Sequence, residues 1–176
     1  MEITPLKQQF YHSCLVTSLL MISKMTDQSI EERVFIEGEK RRFDYSLSGI
    51  LESFVDNTML SVEVTVDSKY FAEELLNSLS KKNKKIKIIN EKITTKMIKK
   101  LLEKQEVVVY IDDNFLGHTS HTSHYVVIEK FIPSGKFQII DPSTGNRKTL
   151  TEKKLEESIL SLKSYIKKCP LVIRKV

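Results

Sequence analysis

Apolar side chains recur along this chain at spacings of three and four residues in some segments and alternate strictly in others. The mostly apolar run 14–25 predicts a first helix, and the apolar residues scattered through 30–36 predict a shorter second one. The spacing within 47–55 predicts a third helix, which we expect Ser46 or Ser48 to cap.

Later segments have the pattern of strands separated by helices. Residues 60–66 alternate, which is typical of a strand, and the run 106–112 is the most apolar segment and predicts a central strand. The other expected elements are a helix capped by Asp67 or Ser68, a strand at 86–89, a helix beginning at Thr94 or Thr95, a helix capped by Thr151 and a closing strand at 171–174.

A hairpin is predicted in the second half of the chain. One strand begins near His124, the residues 132–135 contain Pro and Gly and favour a turn, and a second strand covers 136–140. Asp141 ends that second strand. The hairpin should therefore set His124, at the start of one strand, beside Asp141, at the end of the next.

The order of elements indicates the fold class. Helices come first, mixed elements follow, and a mostly antiparallel sheet comes last. This order predicts a two-layer α+β fold in a single domain spanning 1–176, with the helix that begins at Cys14 packed on the sheet.

Cys14 stands at the beginning of the first predicted helix. The unpaired N–H groups and the positive end of the helix dipole favour a thiolate there, so Cys14 is a candidate nucleophile. Gln8 lies six residues earlier, where its side-chain amide can donate to the oxyanion that forms on attack at a carbonyl. Cysteines are also common packing residues in helices, so a nucleophile requires a base elsewhere in the chain.

The predicted hairpin supplies that base. His124 has a ring nitrogen for the Cys14 thiol, and the Asp141 carboxylate can hold the imidazole in one tautomer through its other nitrogen. The alternative is that Asp141 belongs to a bare turn. Gln8 and Cys14 together favour the catalytic interpretation.

The segment from Gln8 to Ile22, with the H-Y-V-V-I and I-I-D-P-S-T-G segments around His124 and Asp141, resembles the papain-like cysteine peptidases of the bacteriocin-processing, double-glycine group and their stand-alone relatives. The resemblance implies a papain-like fold with Cys14 as nucleophile, His124 as base, Asp141 as orienting acid and Gln8 in the oxyanion hole.

The resemblance also implies that no metal or organic cofactor is needed. The chain departs from the family at two positions beside the nucleophile. Ser13 stands where the family usually has an acidic residue, and Leu15 stands where it usually has glycine. Cleavage after two glycines therefore does not follow from the resemblance.

Composition and charge bear on the class of molecule that the protein binds. The 176 residues carry a net charge of +5, with lysine clusters at 81–85, 99–100, 153–154 and 167–168. No aromatic residues are interleaved in these clusters, so we expect no nucleic-acid partner. The resemblance implies a peptide or protein substrate. The cluster at 81–85 is expected to be a solvated loop. The oligomeric state is open.

The two cysteines and the N-terminus bear on location. Cys14 and Cys169 are too few for a disulfide framework, and Cys169 is expected to be an inert packed residue. The N-terminus lacks the pattern of a signal peptide, and no apolar run is long enough to span a bilayer. The expectation is a cytoplasmic protein without a transmembrane segment, with secretion by a leaderless route left open.

Rival interpretations remain. His12, His118, His121 and His124 with Cys14 form a tract that could hold zinc or copper, although the loop-like sequence argues against a shared helical face. The triplet at 112–114 begins like a calcium loop but lacks its later glycine and glutamate, so a polar strand end is expected. Two other functions also stay open, an acyltransferase on the same fold and a non-catalytic peptide-binding module.

Overall fold

The computed structural model describes residues 2–41, 47–80 and 83–176. Ser46, one candidate helix cap, and Lys81 and Lys82 of the lysine cluster lie outside these residues. In chain order the elements are α1 (Cys14–Ile22), α2 (Ser29–Arg41), α3 (Leu47–Thr58), β1 (Val62–Val66), α4 (Lys69–Ser78), β2 (Ile86–Asn90), α5 (Thr95–Leu102), β3 (Val107–Asp112), a short 3-10 helix (Asp113–Leu116), β4 (Ser123–Ile132), β5 (Lys136–Asp141), β6 (Asn146–Thr151), α6 (Glu152–Ser164) and β7 (Leu171–Lys175).

The strands form one mixed sheet of seven in the order β2-β1-β7-β3-β4-β5-β6. β1 and β2 are parallel, and the other neighbours are antiparallel. The protein is therefore α+β with a mostly antiparallel sheet, as the pattern predicted. β3 lies between β7 and β4, so its expected interior position is confirmed.

The sheet carries helices on both faces, so the expectation of two layers was wrong. The core between α1–α4 and the sheet contains Val108, whereas the core beneath α5 and α6 contains its neighbours Val107 and Val109. Successive side chains of a strand point to opposite faces, so an unbroken apolar strand must be covered twice. The result is a three-layer arrangement.

α1 carries the candidate nucleophile and is the most deeply embedded helix. All of its residues from Leu15 to Ile22 are buried, and it packs against β3 and β4. It ends earlier than the predicted 14–25, because the chain turns at Lys24, whose φ is 59°. None of the helices in the described ranges is both long and apolar enough to cross a membrane.

Local signals at helix starts were accurate. Ser68 caps α4, Thr94 caps α5 and Thr151 caps α6, each by accepting a hydrogen bond from a backbone N–H of the first turn. Ser48 lies inside α3 instead of capping it.

One strand was not predicted. β6 follows the turn after Asp141 and pairs with β5 along its length, but of its six residues only Leu150 is buried. An edge strand with one apolar residue has no hydrophobic alternation, so its pattern does not reveal it.

Candidate active site

The β4–β5 hairpin brings His124 and Asp141 into contact. His124 is the second residue of β4, and Asp141 is the last residue of β5. The imidazole Nε2 lies 3.0 Å from the Asp141 Oδ1 atom, and the side chains are buried, with His124 8% and Asp141 0% exposed. This is the juxtaposition that the hairpin pattern predicted.

Cys14 lies near the same ring. It is the first residue of α1, which packs against β4; it lines the same cleft as His124, and its proximity helps to raise the pKa of the imidazole. Since Nε2 is bonded to Asp141, Nδ1 is the nitrogen that remains for the thiol.

The protonation of the pair follows from these contacts. Burial by itself lowers the pKa of His124, but the bonds to Asp141 and Cys14 outweigh it and raise that pKa from 6.5 to about 9. Burial would raise the pKa of Asp141, but hydrogen bonds from His124, Ser143 and Lys148 hold it well below its usual range. An imidazolium facing a carboxylate is therefore the favoured state at neutral pH.

Asp141 has more partners than the sequence suggested. Its Oδ1 atom accepts hydrogen bonds from the Ser143 backbone N–H at 3.0 Å and hydroxyl at 2.6 Å. Its Oδ2 atom lies 2.9 Å from Lys148 Nζ and 3.7 Å from His118 Nε2. These contacts fix the carboxylate that in turn fixes the ring.

Lys148 was missed because β6 was missed. In the register of β5 and β6, Lys148 pairs with Ile139, two residues from Asp141 on the same strand. Residues two apart on a strand share a face, so the lysine lies diagonally across from the carboxylate on that face. If residues 146–151 had been assigned as a strand, the sequence would have placed Lys148 near Asp141.

Gln8 lines the cleft, but its amide is already engaged. Its Nε2 atom donates to the carbonyl oxygens of Phe10 and Tyr11, each at 2.8 Å. Its backbone N–H donates to the Pro142 carbonyl at 2.8 Å, which ties this segment to the turn after Asp141. Donation by Gln8 to an oxyanion therefore requires one of the two amide bonds to be exchanged.

The first turn of α1 supplies backbone donors beside the thiol. The helix begins at Cys14, and its first intrahelical bond runs from the Thr17 N–H to the Ser13 carbonyl at 2.9 Å. The N–H groups before Thr17 have no carbonyl one turn earlier in the helix to bind. Such N–H groups are suited to stabilising negative charge near the Cys14 sulfur.

Two clefts meet at Cys14. A polar cleft of about 720 Å³ is lined by Gln8, His124 and the loop that precedes β4. A pocket of about 510 Å³ on the other side has mostly apolar walls, which include Phe71 and Tyr110. Cys14 is part of both linings, so the two clefts adjoin at this residue.

The four histidines of the candidate metal tract have different neighbours, although His118 and His124 both face Asp141. His118 faces Asp141, and the Nδ1 atom of His121 lies 2.6 Å from an Asp112 carboxylate oxygen. The ring of His12 packs edge-on against Tyr11, with centroids 4.6 Å apart. Within the described ranges, no three His, Cys, Asp or Glu side chains are grouped so as to hold a metal ion.

The triplet that begins like a calcium loop forms a capped turn. Asp112 ends β3, and its side chain accepts a hydrogen bond from the backbone N–H of Asn114. The short 3-10 helix begins at Asp113. The polar strand end expected from the sequence is thus followed by a helical turn.

Cys169 is half-buried just before β7, and it lines the same apolar pocket as Cys14. Both cysteines are free thiols. Burial raises the pKa of the Cys169 thiol above its usual value. Its environment thus favours the neutral thiol, which suits the packing role predicted for it.

Comparison with known proteins does not assign a family. No protein-family model matches the chain, and a search of curated proteins finds no significant match. Function is therefore inferred from the side chains around Cys14 and from their geometry.

Proposed function

We propose that this protein is a cysteine peptidase in which Cys14 is the nucleophile, His124 the general base and acid, and Asp141 the residue that orients His124. The proposal extends to a papain-like arrangement of helix and sheet around the cleft. The substrate is a peptide or protein that binds in the clefts beside Cys14, and the reaction is hydrolysis of a peptide bond.

One observation carries the proposal. The His124 ring is hydrogen-bonded to the buried Asp141 carboxylate through Nε2, and it lines the same cleft as Cys14, which is near enough to help raise the pKa of the ring. Cys14, His124 and Asp141 come from α1, β4 and β5, and in the proposal they act in the order nucleophile, base and orienting acid. That order is what thiol-dependent acyl transfer requires.

The chemistry follows from these positions. With the proton of the Cys14–His124 pair held on the imidazole, the Cys14 thiolate attacks the carbonyl carbon, and the carbonyl electron pair moves to the oxygen. Collapse of the tetrahedral intermediate breaks the C–N bond, while His124 protonates the departing amine. A water molecule, deprotonated by His124, then attacks the thioester, releasing the acid and restoring the thiol.

The oxyanion is stabilised by the first turn of α1. The backbone N–H of Cys14 is the primary donor, since the helix provides no partner for it. Gln8 becomes a second donor by exchanging its bond to the Phe10 or Tyr11 carbonyl for one to the oxyanion. Exchange of one hydrogen bond for another costs far less than breaking a bond without replacement.

The two clefts suggest how a substrate lies. His124 lines the polar cleft and must reach the departing amine, so the leaving group is expected on that side. The acyl portion is then expected towards the apolar pocket beside Tyr110. A chain crossing Cys14 from one cleft to the other presents its carbonyl to the thiol.

Cleavage of a mixed peptide library, with new termini identified by mass spectrometry, tests the proposal. The wild type and the Cys169→Ala variant are both expected to generate new termini, because Cys169 supplies no group to the proposed chemistry. Cys14→Ala and His124→Ala are expected to generate none above background. Equal cleavage by the wild type and Cys14→Ala would show that the thiol is not the nucleophile.

A further inference from the structure

Glu31 is a buried carboxylate that the proposed mechanism does not use. It lies in the first turn of α2 and is 0% exposed. Its Oε1 atom accepts hydrogen bonds from the Gln9 backbone N–H at 2.8 Å and from the Ser13 hydroxyl at 2.6 Å. Both donors belong to the segment between Gln8 and Cys14.

The two bonds bracket one short loop. Gln9 and Ser13 stand at its ends, and the carbonyls of Phe10 and Tyr11 between them receive the Gln8 amide. The loop is closed further by the Phe10 N–H, which donates to the Ser13 hydroxyl oxygen at 3.2 Å. Glu31 therefore anchors the loop at both of its ends.

The position of Ser13 links this anchor to the nucleophile. Ser13 directly precedes Cys14, and its carbonyl accepts the first intrahelical bond of α1. Its hydroxyl has a single proton and two acceptors within reach, Glu31 Oε1 at 2.6 Å and the Phe10 carbonyl at 2.9 Å, and the shorter contact favours Glu31. Movement at Ser13 would therefore shift the N–H groups that face the thiol.

The surroundings of Glu31 are costly for a carboxylate. Its Oε2 atom is buried and has no hydrogen-bond partner among the described residues. A buried polar atom without a partner is destabilising. An apolar side chain at this position would avoid that cost but could not hold the loop.

We infer that Glu31 is a positioning residue for the oxyanion-binding segment, an inference that rests on the proposed peptidase activity. By holding Gln9 and Ser13, it sets the orientation of the Gln8 amide and of the Cys14 N–H. Its loss should impair attack on a carbonyl, where an oxyanion forms. Its loss should leave the rate of thiol alkylation nearly unchanged, because no oxyanion forms in that reaction.

The test compares Glu31→Leu, Glu31→Gln and the control Glu32→Leu, which removes the neighbouring exposed carboxylate of the same helix. Three quantities are measured in each: kcat and KM on a cleaved peptide, the rate of Cys14 alkylation by iodoacetamide across pH, and backbone hydrogen exchange at Gln9, Phe10 and Ser13. Melting curves establish that each variant is folded.

Glu31→Leu is expected to lower kcat about tenfold or more with little change in KM, because oxyanion donors act in the transition state. Its alkylation rate and alkylation pH profile should match the wild type. Glu31→Gln keeps an acceptor oxygen and should restore most of kcat. Glu32→Leu should behave as the wild type.

A wild-type kcat in Glu31→Leu overturns the inference. So does a loss of kcat and alkylation in equal proportion, which indicates general damage. If Glu31→Leu does not fold, Ser13→Ala removes the shorter of the two bonds from the other side, and the same split between kcat and alkylation is expected.

Hydrogen exchange separates this inference from the proposed activity. If the wild type cleaves no peptide, the proposed function fails, and the exchange rates then decide the role of Glu31. Faster exchange at Gln9 and Phe10 in Glu31→Leu, but not in Glu32→Leu, supports the anchor. Unchanged exchange in both variants rejects it.

Discussion

The His124 imidazole Nε2 lies 3.0 Å from Asp141 Oδ1, although the two residues are 17 positions apart in the sequence. The β4–β5 hairpin creates this contact, because the start of β4 and the end of β5 lie together at the end of the hairpin opposite its turn. The contact determines which ring nitrogen is left for Cys14. It also fixes the ring, since Asp141 is itself held by Ser143 and Lys148.

Replacing Asp141 by Asn should leave the fold intact but lower turnover. The amide cannot stabilise the imidazolium, and it allows the wrong tautomer, so we expect kcat to fall by about a hundredfold or more. Peptide cleavage rates and melting curves measure the two effects. Asp56→Asn, on the exposed side of α3, is the control. A turnover within twofold of the wild type would remove Asp141 from the proposed triad.

Stability should depend on the titration of His124. Its pKa is raised from 6.5 to about 9, so the folded state binds the proton more tightly than the unfolded state. The stabilisation is present in full below about pH 6.5 and is lost as pH rises through about 9. Urea unfolding of the wild type and of His124→Asn at pH 6, 7.5 and 9.5 should give a free-energy difference that shrinks with pH. A constant difference would contradict the raised pKa.

Lys148→Met should shift the pH profile of activity upward. Lys148 Nζ lies 2.9 Å from Asp141 Oδ2 and offsets part of its charge, so its loss strengthens the attraction between Asp141 and His124. Lys148 is partly exposed, and solvent screening should keep the shift below about one pH unit. The measurement is kcat/KM against pH, with Lys136→Met on β5 as the control. A downward shift would mean that Lys148 does not act through Asp141.

Removal of metal ions should change neither melting temperature nor peptide cleavage. His118 and His121 face the carboxylates of Asp141 and Asp112, and the proposed chemistry needs no metal ion. Dialysis against a chelator, followed by melting and activity assays and elemental analysis, checks this expectation. Zinc or copper bound in equal amount to the protein, with activity lost on its removal, would favour the metal interpretation.

Sequence reasoning succeeded where signals are local. The cap residues Ser68, Thr94 and Thr151, the hairpin and the start of α1 at Cys14 each depend on a few neighbouring side chains. The hairpin alone was sufficient to place His124 beside Asp141.

What it missed depends on distant partners. β6 is a polar edge strand that forms because β5 offers hydrogen bonds, and Lys148 comes with it. The third layer arises because different helices cover the two faces of β3, and the order of the strands in the sheet determines which helices these are. The engagement of Gln8 depends on the path of the loop that Glu31 anchors. Periodicity carries no information on β6 or on the path of that loop, whereas the unbroken apolar run 106–112 did indicate that β3 is covered on both faces.

The most direct test of the account is the reactivity of Cys14 in the native protein. Cys14 begins a helix and contacts His124, whereas burial raises the pKa of the Cys169 thiol and makes it less reactive. The measurement is the alkylation rate of each cysteine by iodoacetamide at neutral pH, followed by peptide mapping in the wild type and in His124→Ala. The account predicts that Cys14 is labelled far faster than Cys169 in the wild type and that His124→Ala removes most of this difference. Equal labelling of the two cysteines, or a Cys14 rate that does not depend on His124, would contradict it.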